Sequence, residues 1–129
     1  YCKENDITFF SYMVLEQGAL SGKYDTKHPF PENSDRGAVY NPMLAQLEEL
    51  NAGMKEIADR RGVSVALLPI AWAIAKGTLP IIGVTKVYQV EDAVKGARLE
   101  LTDEEIETLE RLAGKTPLNV IRFWEKEMK

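Results

Sequence analysis

Two stretches of this sequence combine glycine with basic and amide side chains. The first is Gln17-Gly18-Ala19-Leu20-Ser21-Gly22-Lys23. The second is Gly83-Val84-Thr85-Lys86-Val87-Tyr88-Gln89, with Asp92 three residues further on. Glycine lets the backbone turn tightly and brings N–H groups close to a ligand that a Cβ would hold off. Where such a stretch opens a helix, the helix N-terminus favours an anion. The chemistry suggested is the holding of an anionic ligand by backbone amides and lysines. Plainer readings stand beside it. Gly18 and Gly22 suit a simple turn equally well, Lys23 and Lys86 suit ordinary solvated charges, and Gln89 and Asp92 suit an exposed helix face.

Other chemistry is thinly represented. His28 lies among polar loop residues with no cluster of partners at metal-ligand spacing, and reads as bland. A single cysteine, Cys2, excludes an internal disulfide and a multi-cysteine zinc site, and fits a reducing compartment. The balance of 16 Lys and Arg against 20 Asp and Glu, net −4, offers no footprint for nucleic acid or an anionic membrane. The longest apolar stretch, residues 63–75, is interrupted by Ser64 and Pro69 and falls short of the roughly 20 residues a membrane span needs. No signal peptide is visible. The polar start Tyr1-Cys2-Lys3-Glu4 without an initiator Met reads as the tail of an earlier helix, with a processed N-terminus as the plainer alternative.

The elements that must position the glycine stretches come next. Residues 7–13 are β-branched and aromatic, and predict a strand buried on both faces, as in a parallel sheet. Residues 25–42, with Pro29, Pro31, Gly37 and Pro42, read as a long loop. Asn41-Pro42 reads as an N-cap with proline at the first helical position. Leu44, Leu47, Leu50, Met54, Ile57 and Ala58 then predict an amphipathic helix over 43–61 that ends near Gly62. Ser64 can cap a deeply buried helix over 65–76, with Trp72 in the core and Pro69 either costing something near its first turn or marking a local irregularity. Residues 79–84 predict a second buried strand and 87–97 a helix. Thr102 and Glu105 form a capping box for a helix carrying Ile106, Leu109 and Leu112, stopped by Gly114. Residues 119–128 predict one more helix, with Val120, Phe123 and Trp124 on its apolar side. Buried strands alternating with helices indicate a parallel α/β arrangement. Two strands make a poor parallel sheet, and a complete (β/α)8 barrel needs roughly 250 residues, so the 129-residue chain reads as a single partial domain.

Four ordered blocks carry a resemblance. Tyr12-Met13-Val14-Leu15-Glu16-Gln17-Gly18-Ala19-Leu20-Ser21-Gly22-Lys23-Tyr24 resembles the aldo/keto reductase segment Y-S-P-L-x-x-G-x-L-[ST]-G-K-Y. Pro80 to Ala93 resembles that family's P-x-I-x-G-x-x-x-x-x-Q-x-x-[DE]-N segment. Ala71-Trp72 stands where the family has its L-A-W helix, and Leu101 to Ile106 is similar to its L-[ST]-x-E-E-[IL] segment. The resemblance implies the C-terminal portion of a (β/α)8 TIM barrel, an incomplete barrel holding strands seven (residues 7–13) and eight (residues 81–84) with their helices. It implies NADPH as cofactor. Tyr12 resembles the residue that stacks on nicotinamide, with Leu15, Glu16, Gln17, Gly18 and Lys23 along the cofactor. Gly83, Thr85 and Lys86 would line the adenosine phosphate end, and Gln89 and Asp92 the adenosine. Met13 and Val14 replace the usual Ser and Pro, and Ala93 the usual Asn, which removes two polar contacts and lowers the expected affinity.

The family's reaction is hydride transfer to a small carbonyl substrate. Its proton-donating tyrosine, with supporting Asp, Lys and His, comes from early barrel strands. None of those segments is present, and Tyr1, Tyr24, Tyr40 and Tyr88 do not match the tyrosine's motif, so no catalytic residue is assigned. Three functions stay open at this point: the NADPH-binding portion of a reductase that is inactive by itself, a non-catalytic reductase-like regulatory subunit, and a self-associating structural fragment. A cytoplasmic location and self-association of the chain are expected.

Overall fold

The computed structural model describes residues 1–116. The helix expected over 119–128 lies outside the described residues. The element order is β1 (Phe10–Ser11), α1 (Asp35–Tyr40), α2 (Leu44–Arg61), α3 (Leu67–Ala75), β2 (Leu79–Pro80), α4 (Val87–Ala97) and α5 (Asp103–Lys115). β1 and β2 pair in parallel, Phe10 against Leu79 and Ser11 against Pro80. The amide of Leu79 donates to Phe9 O and that of Ile81 to Ser11 O. The Thr78 hydroxyl donates to Ala73 O, and the Ser11 hydroxyl donates to Thr78, which ties the pair to the end of α3.

Both strands are much shorter than expected. Phe9, Phe10, Tyr12, Leu79 and Ile81 are each more than half exposed, against the expectation of burial on both faces. The reason is that an extended parallel strand needs a neighbour on each side. Here each strand has one neighbour among the described residues, and the left-handed backbone of Met13, φ 60°, ends the first run.

The core lies between the helices. Leu44, Leu47, Met54 and Ile57 line the inner face of α2, meeting Leu109 and Leu112 of α5 and Leu68 of α3. Gly62, φ 64°, closes α2 in the left-handed conformation, and the Val63 amide bonds back to Ala58 O. Two expected starts shift. Asn41 does not cap α2. Its side chain instead pairs both ways with the Phe30 backbone, at 2.9 and 3.0 Å, and a single 3-10 turn, Asn41–Met43, leads into the helix. α3 begins at Leu67 after i→i+3 turns from Ser64 and Val65, so Pro69 is its third residue. There its missing N–H falls among the amides that a helix leaves unpaired anyway, and the expected cost does not arise. Trp72 is only partly buried, and its indole N–H donates to Glu110 at 3.1 Å. Among the described residues, no helix is long and apolar enough to cross a membrane.

The capping box at α5 forms as expected, with the Glu105 amide donating to Thr102 Oγ1 and the Thr102 amide to Glu105 Oε2. Glu105 is 7% exposed and is also held by Arg61 through Nε at 2.9 Å and Nη2 at 2.6 Å. The Arg61 guanidinium, against the opposing effect of burial, lowers the Glu105 carboxyl from 4.5 to about 2. A depressed carboxyl contributes stability that is complete above its unfolded value and is lost as pH falls through the folded one. Acid unfolding followed by circular dichroism is therefore expected to lose stability between about pH 4.5 and 2 through this pair. Glu105→Gln should flatten that limb. An unchanged acid limb would show that the bridge contributes nothing to folding.

Candidate functional site

Because β1 and β2 run parallel and in register, the segments that follow them leave from the same end of the pair. The two glycine stretches, some sixty residues apart in the chain, are brought to one end of the fold by this pairing alone.

After β1 the chain turns through a loop with unusual backbone angles. Met13, Glu16, Gln17 and Gly18 have φ values of 60°, 45°, 52° and 107°. A glycine accepts this readily, but the three preceding side chains are disfavoured there. The amides of Glu16, Gly18, Ala19 and Leu20 bond to loop carbonyls. The Gln17 amide has no acceptor among the described residues. Glu16 Oε1 accepts from the Tyr40 hydroxyl at 2.8 Å, Gln17 O accepts from Arg36 Nη1 at 3.2 Å, and Ala19 O accepts from Asn51 Nδ2 at 3.3 Å. Beneath the loop Tyr24 stacks on Phe30 at 3.7 Å, and Phe30 meets Tyr40 at 5.6 Å. Lys23 stays exposed, its Nζ 5.2 Å from the Tyr24 ring centre.

After β2 the backbone runs to the N-terminus of α4. Gly83, Thr85 and Lys86 are exposed, and a Cβ on Gly83 would meet nothing within 4 Å. Gln89 turns back on the helix start. Its Oε1 accepts from the amides of Thr85 at 2.7 Å and Lys86 at 3.0 Å. The carbonyl end of Gln89 is thus taken by the cap, and its NH2 group is the end left toward a ligand. The amides of Val87 and Tyr88 have no acceptor among the described residues, and both residues are exposed at the helix start. Lys86 Nζ lies 6.0 Å from the Tyr88 ring centre, and Asp92 pairs with Lys95 at 3.6 Å.

A separate groove of about 560 Å³ opens beside β1, bordered by Phe9, Tyr12, Val14, Met54, Trp72 and Leu109. It is largely apolar, and of the candidate residues only Tyr12 borders it, so it is not the anion site. His28 is bound to Asp25 at 3.0 Å, and no metal-binding cluster occurs among the described residues. Sequence reasoning missed Arg36, Tyr40 and the helix that carries them. The available signal was Ser34-Asp35, a helix start in which Ser34 Oγ accepts from Gly37 N at 2.9 Å.

Residues 1–113 match the model of the aldo/keto reductase family, and the chain belongs to that oxidoreductase family. It is 36% identical over 122 residues to the chloroplastic pyridoxal reductase of Arabidopsis thaliana, covering 94% of this chain and 33% of that protein. It is 38% identical over 119 residues to a putative aryl-alcohol dehydrogenase of Saccharomyces cerevisiae, covering 85% and 33%. The structure of a glycerol dehydrogenase from Gluconobacter oxydans superposes with a TM-score of 0.76 at 23% identity, over 98% of this chain and 40% of that one, which shows the shared α/β fold. The chain thus spans about a third of the length of the curated relatives it matches.

Proposed function

We propose that this chain is the C-terminal portion of a (β/α)8 reductase barrel, a single partial domain with β1 and β2 as its seventh and eighth strands, and that it supplies the NADPH site for reduction of a small carbonyl substrate. The observation that carries the reading is the parallel register of β1 and β2, which places both candidate loops at one strand end. Barrel sites form at that end, and the loops of the last two strands commonly hold phosphate. The residues present fit such a group. Tyr12, 61% exposed at the end of β1, offers a ring face for nicotinamide. Gln17 offers a backbone amide for the pyrophosphate, with Leu15, Glu16 and Gly18 shaping the turn and Lys23 adding charge. Val87 and Tyr88 offer amides, and Thr85 and Lys86 side chains, for the adenosine phosphate beside the open face of Gly83. Gln89 Nε2 and Asp92 lie one turn apart for the adenosine. The cofactor, when bound, supplies the hydride. This chain's residues bind and orient it, and the proton donor is assigned to none of them.

The cytoplasm is proposed as the compartment on the single cysteine alone, and the chloroplastic name of the Arabidopsis relative marks the alternative.

Lys86→Ala, made in the product of the complete reading frame, should lower the preference for NADPH over NADH by about tenfold or more, the value of a charge-assisted contact. Titration with both cofactors measures it. An unchanged affinity ratio would remove Lys86 from the phosphate site.

A further inference from the structure

We infer that α1 sets the geometry of the dinucleotide loop, with Tyr40 and Arg36 as positioning residues that hold Glu16 and Gln17 in their left-handed conformation. The inference rests on the reading of residues 15–18 as part of the cofactor site.

Left-handed backbone at two successive residues with side chains persists only where the surroundings over-determine it. Here the restraint comes from one short helix. Tyr40 is 1% exposed, and its hydroxyl donates to Glu16 Oε1 at 2.8 Å. One turn earlier on the same helix, Arg36 donates to the Gln17 carbonyl at 3.2 Å, with its guanidinium 5.7 Å over the Phe30 ring. Phe30 is fixed in turn by the Asn41 side chain, which bonds its N–H at 2.9 Å and its carbonyl at 3.0 Å. The Glu16 carboxylate is therefore turned toward the protein, and with its own N–H and C=O bonded inside the turn Glu16 shapes the loop.

The consequence is a directed donor. The Glu16 carbonyl accepts from the Ala19 amide at 3.0 Å, inside the turn. A trans peptide points its N–H opposite its C=O, so the Gln17 amide faces out of the loop. Between the bonded amides of Glu16 and Gly18, that amide has no acceptor among the described residues. Tyr40 and Arg36 clamp the residues on either side of this peptide. Loosening either one lets the strained peptide rotate and turns the donor away from the ligand.

The test uses the product of the complete reading frame, with NADPH as probe and quenching of protein fluorescence as readout. Tyr40→Phe keeps the ring and removes the hydroxyl, and is expected to weaken NADPH binding by about tenfold. Arg36→Met should act in the same direction, and Arg36→Lys should restore most of the affinity. Arg36 is exposed, so its variants should keep the melting temperature within about 2 °C, which separates positioning from loss of fold. Gly18→Ala strains the loop directly at φ 107° and reports on the underlying reading. If Gly18→Ala weakens binding while Tyr40→Phe and Arg36→Met stay within about twofold of the parent, the α1 clamp is overturned and the cofactor reading stands. If all three leave affinity unchanged, the loop does not contact the cofactor and both statements fall.

Discussion

The 129-residue chain by itself is expected to reduce no aldehyde, at any concentration of NADPH. A carbonyl gains a hydride at carbon and needs a proton at oxygen. A positioned general acid contributes roughly 10²–10⁴-fold to such a step, before any loss of substrate orientation is counted. Several of the chain's titratable groups are committed elsewhere. The Tyr40 hydroxyl is buried and donates to Glu16. The Tyr24 ring is stacked against Phe30. His28 is bound to Asp25, whose carboxyl is held below its usual value chiefly by the His28 amide. Glu110 is held low first by Lys76 and then by the Trp72 indole. Of these groups only Glu110 borders the groove that Tyr12 also borders, where the nicotinamide is proposed to lie, and it is tied to Lys76 and Trp72. NADPH consumption measured against a broad aldehyde panel checks this. Turnover that rises with chain concentration and survives removal of contaminating reductases would sink the prediction, and with it the assignment of the proton donor outside this chain.

The second large effect concerns association. Expressed by itself, the chain should form dimers or larger species. We propose that a second copy covers the β1–β2 pair and the groove beside it. Phe9, Phe10, Tyr12, Leu79, Ile81 and Val84 present exposed apolar surface along two strands whose outer edges have no partner among the described residues. The 560 Å³ groove continues from Phe9 and Tyr12 toward Met54 and Leu109, so the strand edge and the groove form one surface. Unpaired strand edges next to contiguous apolar surface promote pairing with another chain. An interface built from such a surface should bury on the order of 2,000 Å². A second copy brings the same complementary edge at the same concentration, which commits the occupant. Sedimentation equilibrium over a wide concentration range decides it. A cooperatively folded monomer of 14.5 kDa at high concentration would show that the chain closes its own core. Replacing Phe9 and Ile81 by Lys should shift the balance toward monomer, because both side chains are more than half exposed and their loss costs little packing.

What the sequence determined by itself was local. The helical spacing in α2, the capping box of Thr102 and Glu105, the bounds of α4 and the helix end near Gly62 all follow from interactions within a few residues, and each appears in the structure. The parallel α/β arrangement was also legible, since β-branched runs alternating with helices leave few other solutions. What only the tertiary structure decided depends on partners distant in the chain. Strand length was one such property. The runs at 7–13 and 79–84 carry strand-forming residues, but two paired residues remain in each because β-structure exists only as far as a neighbouring strand extends. The roles of single side chains were another. Glu16, Gln17 and Gln89 read alike as ligand contacts. The fold turns Glu16 toward Tyr40, presents Gln17 through its backbone, and spends the Gln89 carbonyl on the α4 cap. The segment 25–42 read as loop because its prolines and polar residues mask a six-residue helix too short to show a period. Yet that helix holds the strained turn after β1. Hydrogen bonds between residues 19 and 24 positions apart cannot be read from local pattern, because they exist only once the intervening chain has packed.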